Sequence, residues 1–93
     1  MQREQRDVLY EGWVQGVGFR FTVCRIADGY NVTGHVRNLS DGRVHLVAEG
    51  TPAELDRFLT EIQTAMAGHI RDVHVQNRPA TGEFRGFDLR RTP

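Results

Sequence analysis

In the run Val14-Gln15-Gly16-Val17-Gly18-Phe19-Arg20, two glycines stand within three residues of each other and an arginine follows the second. A residue without Cβ permits positive φ and close approach of a ligand, so successive peptide N–H groups can converge on one point. The run lies between a strand-like segment (Val8, Leu9, Tyr10) and a helix-like one. That helix adds its unpaired first-turn N–H groups and the positive end of its dipole. Such a corner attracts anions, phosphate foremost. Arg20 at its mouth carries a permanent charge on a planar fork that can take two phosphate oxygens at once. The same residues also suit a plain strand-to-helix turn followed by a solvated arginine. No Gly-Lys-Ser/Thr step closes the loop as in a P-loop, and the third glycine of a dinucleotide fingerprint is missing. The residues therefore describe an oxyanion cradle and leave its ligand open.

Other chemistries find little to build on. The four histidines (His35, His45, His69, His74) are scattered without paired metal-ligand spacing, so no metal site is expected. No Ser-His-Asp, Cys-His or Walker arrangement stands out. The lone Cys24 lies beside a helical apolar stripe with no histidine near it in sequence, which favours a small packing residue over a nucleophile. A metal-free, non-covalent mechanism without cofactors is what remains.

The elements that must position the cradle follow from periodicity. Asp7 to Trp13 reads as a first strand with apolar groups at both odd and even positions, hence a central strand. Phe19, Val23, Ile26, Ala27 and Tyr30 recur at helical spacing and predict a helix over about 20–28, ended by Gly29 or Asn31. Val32–Asn38 and Arg43–Glu49 read as strands joined by the turn Leu39-Ser40-Asp41-Gly42. Thr51-Pro52-Ala53-Glu54 is a capping box opening a helix to about Ala67, stopped by Gly68. Ile70–Asn77 is a fourth strand, and Phe84–Arg90 a short fifth one. The order β-α-β-β-α-β predicts an α+β, ferredoxin-like sandwich, an antiparallel sheet with two helices on one face.

Ninety-three residues suffice for one core and one domain, expected over 7–93, with 1–6 a disordered polar N-terminal tail. The 12 basic and 12 acidic residues cancel, so no global field draws the chain to nucleic acid or an anionic membrane. No apolar run approaches the roughly 18 residues of a membrane helix, the polar N-terminus lacks a signal-peptide core, and the single cysteine agrees with a reducing compartment. A cytoplasmic monomer without nucleic-acid or membrane partners is the expectation.

The loop Val14–Arg20, together with Asn38 eighteen residues beyond Arg20 in Gly34-His35-Val36-Arg37-Asn38-Leu39-Ser40-Asp41-Gly42, resembles the acylphosphatase family, from about Tyr10 to the last strand. The resemblance implies hydrolysis of the carboxyl-phosphate bond of a small-molecule acyl phosphate to carboxylate and inorganic phosphate. It implies that Gln15, Gly16, Val17, Gly18, Phe19 and Arg20 bind the substrate phosphate. Arg20 and Asn38 would be the catalytic pair, Asn38 orienting the attacking water. On its own, Asn38 reads equally as a polar residue flanking a hairpin.

Three positions depart from the family's commoner residues: His35 for tryptophan, Asn31 for a helix-ending glycine, and Gly68-His69-Ile70 for a Gly-Pro step. None touches the cradle or Asn38.

The alternatives are an acylphosphatase-like phosphate-binding or interaction module without turnover, or a domain of carbamoyl-transfer machinery. The latter would stand at the head of a long chain, so an end at Pro93 favours the free-standing enzyme. An RNA-binding version of the fold would need exposed aromatics on its central strands, and the third strand (Arg43, Val44, His45, Leu46, Val47) has none.

Overall fold

The computed structural model describes residues 2–91. The elements are β1 (Glu4–Gly12), α1 (Phe19–Ala27), β2 (Thr33–Asn38), β3 (Val44–Gly50), α2 (Pro52–Ala65), β4 (Ile70–Pro79) and β5 (Phe87–Arg90). One sheet in the order β4-β1-β3-β2-β5 carries both helices on one face. β1 is central, antiparallel to β3 and β4, and β2 is antiparallel to β3. This is the expected ferredoxin-like α+β plan with one correction. β5 pairs parallel to β2, with Val36 opposite Leu89, so the sheet is mixed and not wholly antiparallel. After β4 the chain crosses to the opposite edge of the sheet before it becomes extended again, and it arrives running in the direction of β2.

The core follows the alternation read from sequence. Val8, Leu46 and Val36 form one row across β1, β3 and β2, and each is fully buried. Phe19, Val23 and Ile26 of α1, with Leu55, Phe58 and Ile62 of α2, close over that row. Burying each such side chain contributes about 1.5–3 kcal/mol. Thr51 caps α2 by accepting the Glu54 amide at 3.4 Å, with Pro52 at the first helical position.

A second correction concerns the N-terminus. Glu4–Arg6 are not a frayed tail: they belong to β1 and pair on both sides, Glu4 with Gly50 and Pro79. Gln5 and Arg6 are each only 6% exposed, and their polar groups find partners. Gln5 Nε2 donates to Glu49 at 2.8 Å, and the Arg6 guanidinium lies 2.5 Å from Glu4 and 3.5 Å from Asp56. Two-sided pairing satisfies the backbone, so the strand needs no apolar run to be stable. Gln2 and Arg3 precede the strand, and Met1 of the expected tail and residues 92–93 of the expected domain lie outside the described residues.

The face of the sheet away from the helices is partly shielded by residues 80–86. Buried Glu49 accepts from the Thr81 amide (2.8 Å), the Thr81 hydroxyl (2.9 Å) and the Gly82 amide (3.0 Å), which pins that segment. Burial pushes the Glu49 carboxyl up, but these donors and Gln5 together bring it below the usual carboxylate range. Further along, the Gly34 amide donates to the Gly86 carbonyl at 2.9 Å, which delivers the chain to β5.

Candidate active site

The loop between β1 and α1 is held at both ends. Tyr10 near the end of β1 and Phe19 at the start of α1 are buried with ring centroids 5.0 Å apart, an aromatic contact that fixes how far the intervening residues can spread. Gly16 and Gly18 both take φ +77°, left-handed geometry that a side chain would strain. A Cβ added at either would meet nothing within 4 Å, so what confines these positions to glycine is conformation and the space in front of them, not crowding. Gly18 is also the N-cap of α1. Among the described residues no side chain caps that helix, and no acidic residue occupies its first turn, so the first N–H groups are left without a capping side chain.

The second half of the site comes from the β2–β3 hairpin. Asn38 ends β2 opposite Val44, which in turn stands opposite Tyr10, so the carboxamide sits at the same end of the sheet as the loop. Among the described residues nothing hydrogen-bonds the Asn38 side chain. The Gln15 amide joins the two halves, Nε2 donating to the Leu39 carbonyl at 2.8 Å and the Arg43 carbonyl at 2.9 Å. Arg20 is steadied from a third direction: Nη1 donates to the Arg90 carbonyl of β5 at 3.0 Å, leaving the rest of its donor fork available.

These pieces surround a cleft of about 150 Å³, lined by Val14, Gly16, Gly18, Phe19, Arg20 and Asn38, with Phe21 and Leu89 also on its wall. The structure thus brings Gly16, Gly18, Phe19, Arg20 and Asn38 together. It does not place Gln15 or Val17 on the wall: Gln15 uses its side chain to tie the hairpin, and Val17 packs against the core. Sequence reading missed Val14, Phe21, Leu89 and the Arg90 carbonyl. Phe21 could have been noticed, since it is a large apolar residue off the buried stripe of α1; the two β5 contributions depend on a parallel pairing that no local pattern announces.

The remaining titratable groups lie elsewhere. His45 Nε2 is 2.9 Å from Asp7 and His74 Nε2 is 2.7 Å from Glu11. His35 is buried against Phe84 and pushed down to about 4, by burial first and then by the nearby Arg90, His45 and Arg37. None of these lines the cleft, nor does Cys24, whose thiol is pushed up by burial and then by Asp28 and Asp88. A larger groove of about 630 Å³ lies between the helices. Tyr30 is engaged there with Glu61 at 2.6 Å and Arg57 with Glu54, and the lining carries two carboxylates, Glu54 and Glu61, beside Arg25, a charge mixture unlike that of the glycine-loop cleft. Among the described residues no helix is long and apolar enough to cross a membrane.

The chain is similar to known proteins over nearly its whole length. The acylphosphatase family model matches residues 6–89. An acylphosphatase from Methanospirillum hungatei JF-1 is 42% identical over 87 residues, covering 91% of this chain and 94% of the relative. One from Paenarthrobacter aurescens strain TC1 is 46% identical over 79 residues, 84% of each chain. Among solved structures, the acylphosphatase from Bacillus subtilis superimposes with a TM-score of 0.83 at 30% identity, covering 92% of this chain and 97% of that one. Full-length HypF in a phosphate- and nucleotide-bound form gives 0.82 at 28% identity, with 98% of this chain covering 12% of that one.

Proposed function

Because the chain belongs to the acylphosphatase family and is a hydrolase of acyl phosphates, we propose that the glycine-loop cleft is where it works, by positioning a water molecule without a covalent intermediate. The observation that carries this reading is the meeting of Arg20 and Asn38 in the cleft formed with Gly16 and Gly18.

In the proposed reaction the phosphoryl oxygens sit against the amides of the loop and the first turn of α1, where the unpaired N–H groups and the helix dipole favour negative charge. Arg20, held by the Arg90 carbonyl, adds the remaining positive charge and fixes the phosphorus in place. The Asn38 carboxamide orients a water in line with the scissile bond. The water oxygen bonds to phosphorus as the P–O bond to the acyl group breaks, and the electron pair leaves on the carboxylate. The water's proton passes to a phosphoryl oxygen. An acyl phosphate has a good leaving group, so positioning and charge stabilisation supply what the reaction needs without a strong base.

The test is to supply acetyl phosphate or benzoyl phosphate with excess chelator to the parent protein and to Arg20→Ala. Carboxylate release by the parent alone is the expected result. Full turnover by Arg20→Ala would remove Arg20 from the site, and dependence on added metal would overturn the water-positioning scheme. A phosphate-binding module without turnover would bind inorganic phosphate yet release no carboxylate.

A further inference from the structure

Large apolar side chains exposed singly on a surface call for no explanation. Trp13 (76% exposed) and Val75 (48%) are of that kind and do not line the cleft. Phe21 (67%) and Leu89 (46%) are different, because both stand on the wall that also carries Arg20 and Asn38. They come from separate elements. Phe21 lies in the first turn of α1, off the buried stripe of Phe19, Val23, Ile26 and Ala27. Leu89 lies on β5 opposite fully buried Val36, so it faces the helix layer at the open edge of the sheet, beside α1.

The size of the cleft decides what these two can do. At roughly 30 Å³ per water, its 150 Å³ has space for about five waters' volume. A phosphoryl group and one attacking water take up much of that space. What is left is too small to enclose a bulky acyl group such as benzoyl, whose carbon skeleton then extends over the rim, and in-line attack from the Asn38 side sends the leaving carboxylate away from Asn38. Resting on the reading of the cleft given above, we propose that Phe21 and Leu89 form an apolar lip that receives the acyl group. The enzyme then prefers acyl phosphates with aromatic or branched aliphatic acyl groups over those with small or charged ones. An apolar contact of this kind is worth selectivity of about tenfold or more, since even one methylene in a pocket discriminates by that order.

The test compares kcat/KM for benzoyl phosphate and acetyl phosphate in the parent, Phe21→Ser, Leu89→Ser and the double variant, with the inhibition constant of inorganic phosphate measured alongside. The expected result is a benzoyl-to-acetyl ratio that falls about tenfold in the double variant while phosphate inhibition stays within about twofold. Phe21→Leu should retain most of the ratio, because it keeps an apolar surface. An unchanged ratio, or an equal loss on both substrates, overturns the lip. Failure of the underlying reading shows separately, as Arg20→Ala that still hydrolyses acetyl phosphate.

Discussion

The Gln15 side-chain amide reaches across from the glycine loop to the Leu39 carbonyl at 2.8 Å, one residue beyond Asn38. The glycine loop and the hairpin that carries Asn38, which in the proposed reaction hold phosphate and aim water, are thus tied by a single side chain, which also reaches the Arg43 carbonyl at 2.9 Å. Gln15→Leu keeps the bulk and removes both donors. Each neutral hydrogen bond is worth about 1 kcal/mol, so stability falls by roughly 1–2 kcal/mol. Turnover falls further, by about tenfold or more, since small misplacements of reacting groups are amplified in rate. Denaturant melts beside kcat on the same preparation check this; a rate loss no larger than the stability loss implies would reduce Gln15 to a structural tie.

In the proposed reaction Asn38 acts on water and not on the bound phosphate, and Asn38→Ala removes it. The expected outcome is a fall in kcat of about 10²-fold with KM much less affected. Steady-state kinetics with acetyl phosphate decide the matter, and unchanged kcat would release Asn38 from its role. Because the carboxamide does not titrate, the parent's kcat should also show no sharp limb near pH 6–7.

Gly34 lies in β2 with φ +146°, and a Cβ there would sit 1.9 Å from the Val47 carbonyl oxygen. The neighbour is backbone of the paired strand and cannot swing aside. Gly34→Ala must therefore break the β2–β3 pairing, with a cost above the ~1 kcal/mol of ordinary glycine substitutions. Circular dichroism melts should show a large drop in Tm or no folded state. Gly18→Ala makes the contrast: its Cβ meets open space, so it costs about 1–2 kcal/mol of backbone strain and acts mainly on phosphate binding.

His35 is buried, its Nδ1 has no hydrogen-bond partner among the described residues, and its imidazole is held down to about 4 against an ordinary value of 6.5. Between these values the unfolded chain binds a proton that the folded one excludes. Stability therefore falls as pH drops from about 6.5 towards 4, with a slope approaching 1.4 kcal/mol per pH unit for one proton. His35→Phe removes the titrating group and the unpartnered nitrogen, and the stability curve should flatten over that window. Glu49 contributes separately: its lowered carboxyl keeps its stabilisation above the unfolded value of 4.5 and loses it on further acidification. Urea titrations at several pH values separate the two, and a slope unchanged in His35→Phe would assign the acid limb to other groups.

Much of the fold was legible because its signals are local. The apolar stripe of α1, the Thr51-Pro52 cap and the Leu39–Gly42 turn each depend on neighbours in sequence, and each lies within a residue or two of its expected place. The N-terminal half of β1 was not, because Gln5 and Arg6 are polar yet buried, satisfied by Glu49, Glu4 and Asp56 that sequence proximity or composition could not nominate together. Arg20, Asn38 and the glycines could be picked out by type and resemblance. The apolar rim and the Arg90 carbonyl could not, since they are supplied by an edge strand whose direction is set by how the chain returns beneath the sheet.

Arg90 lies 70 residues after Arg20. On a ribosome, the glycine bend and its guanidinium emerge long before the strand that aims that guanidinium. A nascent chain short of β5 carries the cation without its brace, so catalytic competence arrives late, with the closing of one sheet edge, and any variant that loosens that edge should lose turnover before it loses its helices.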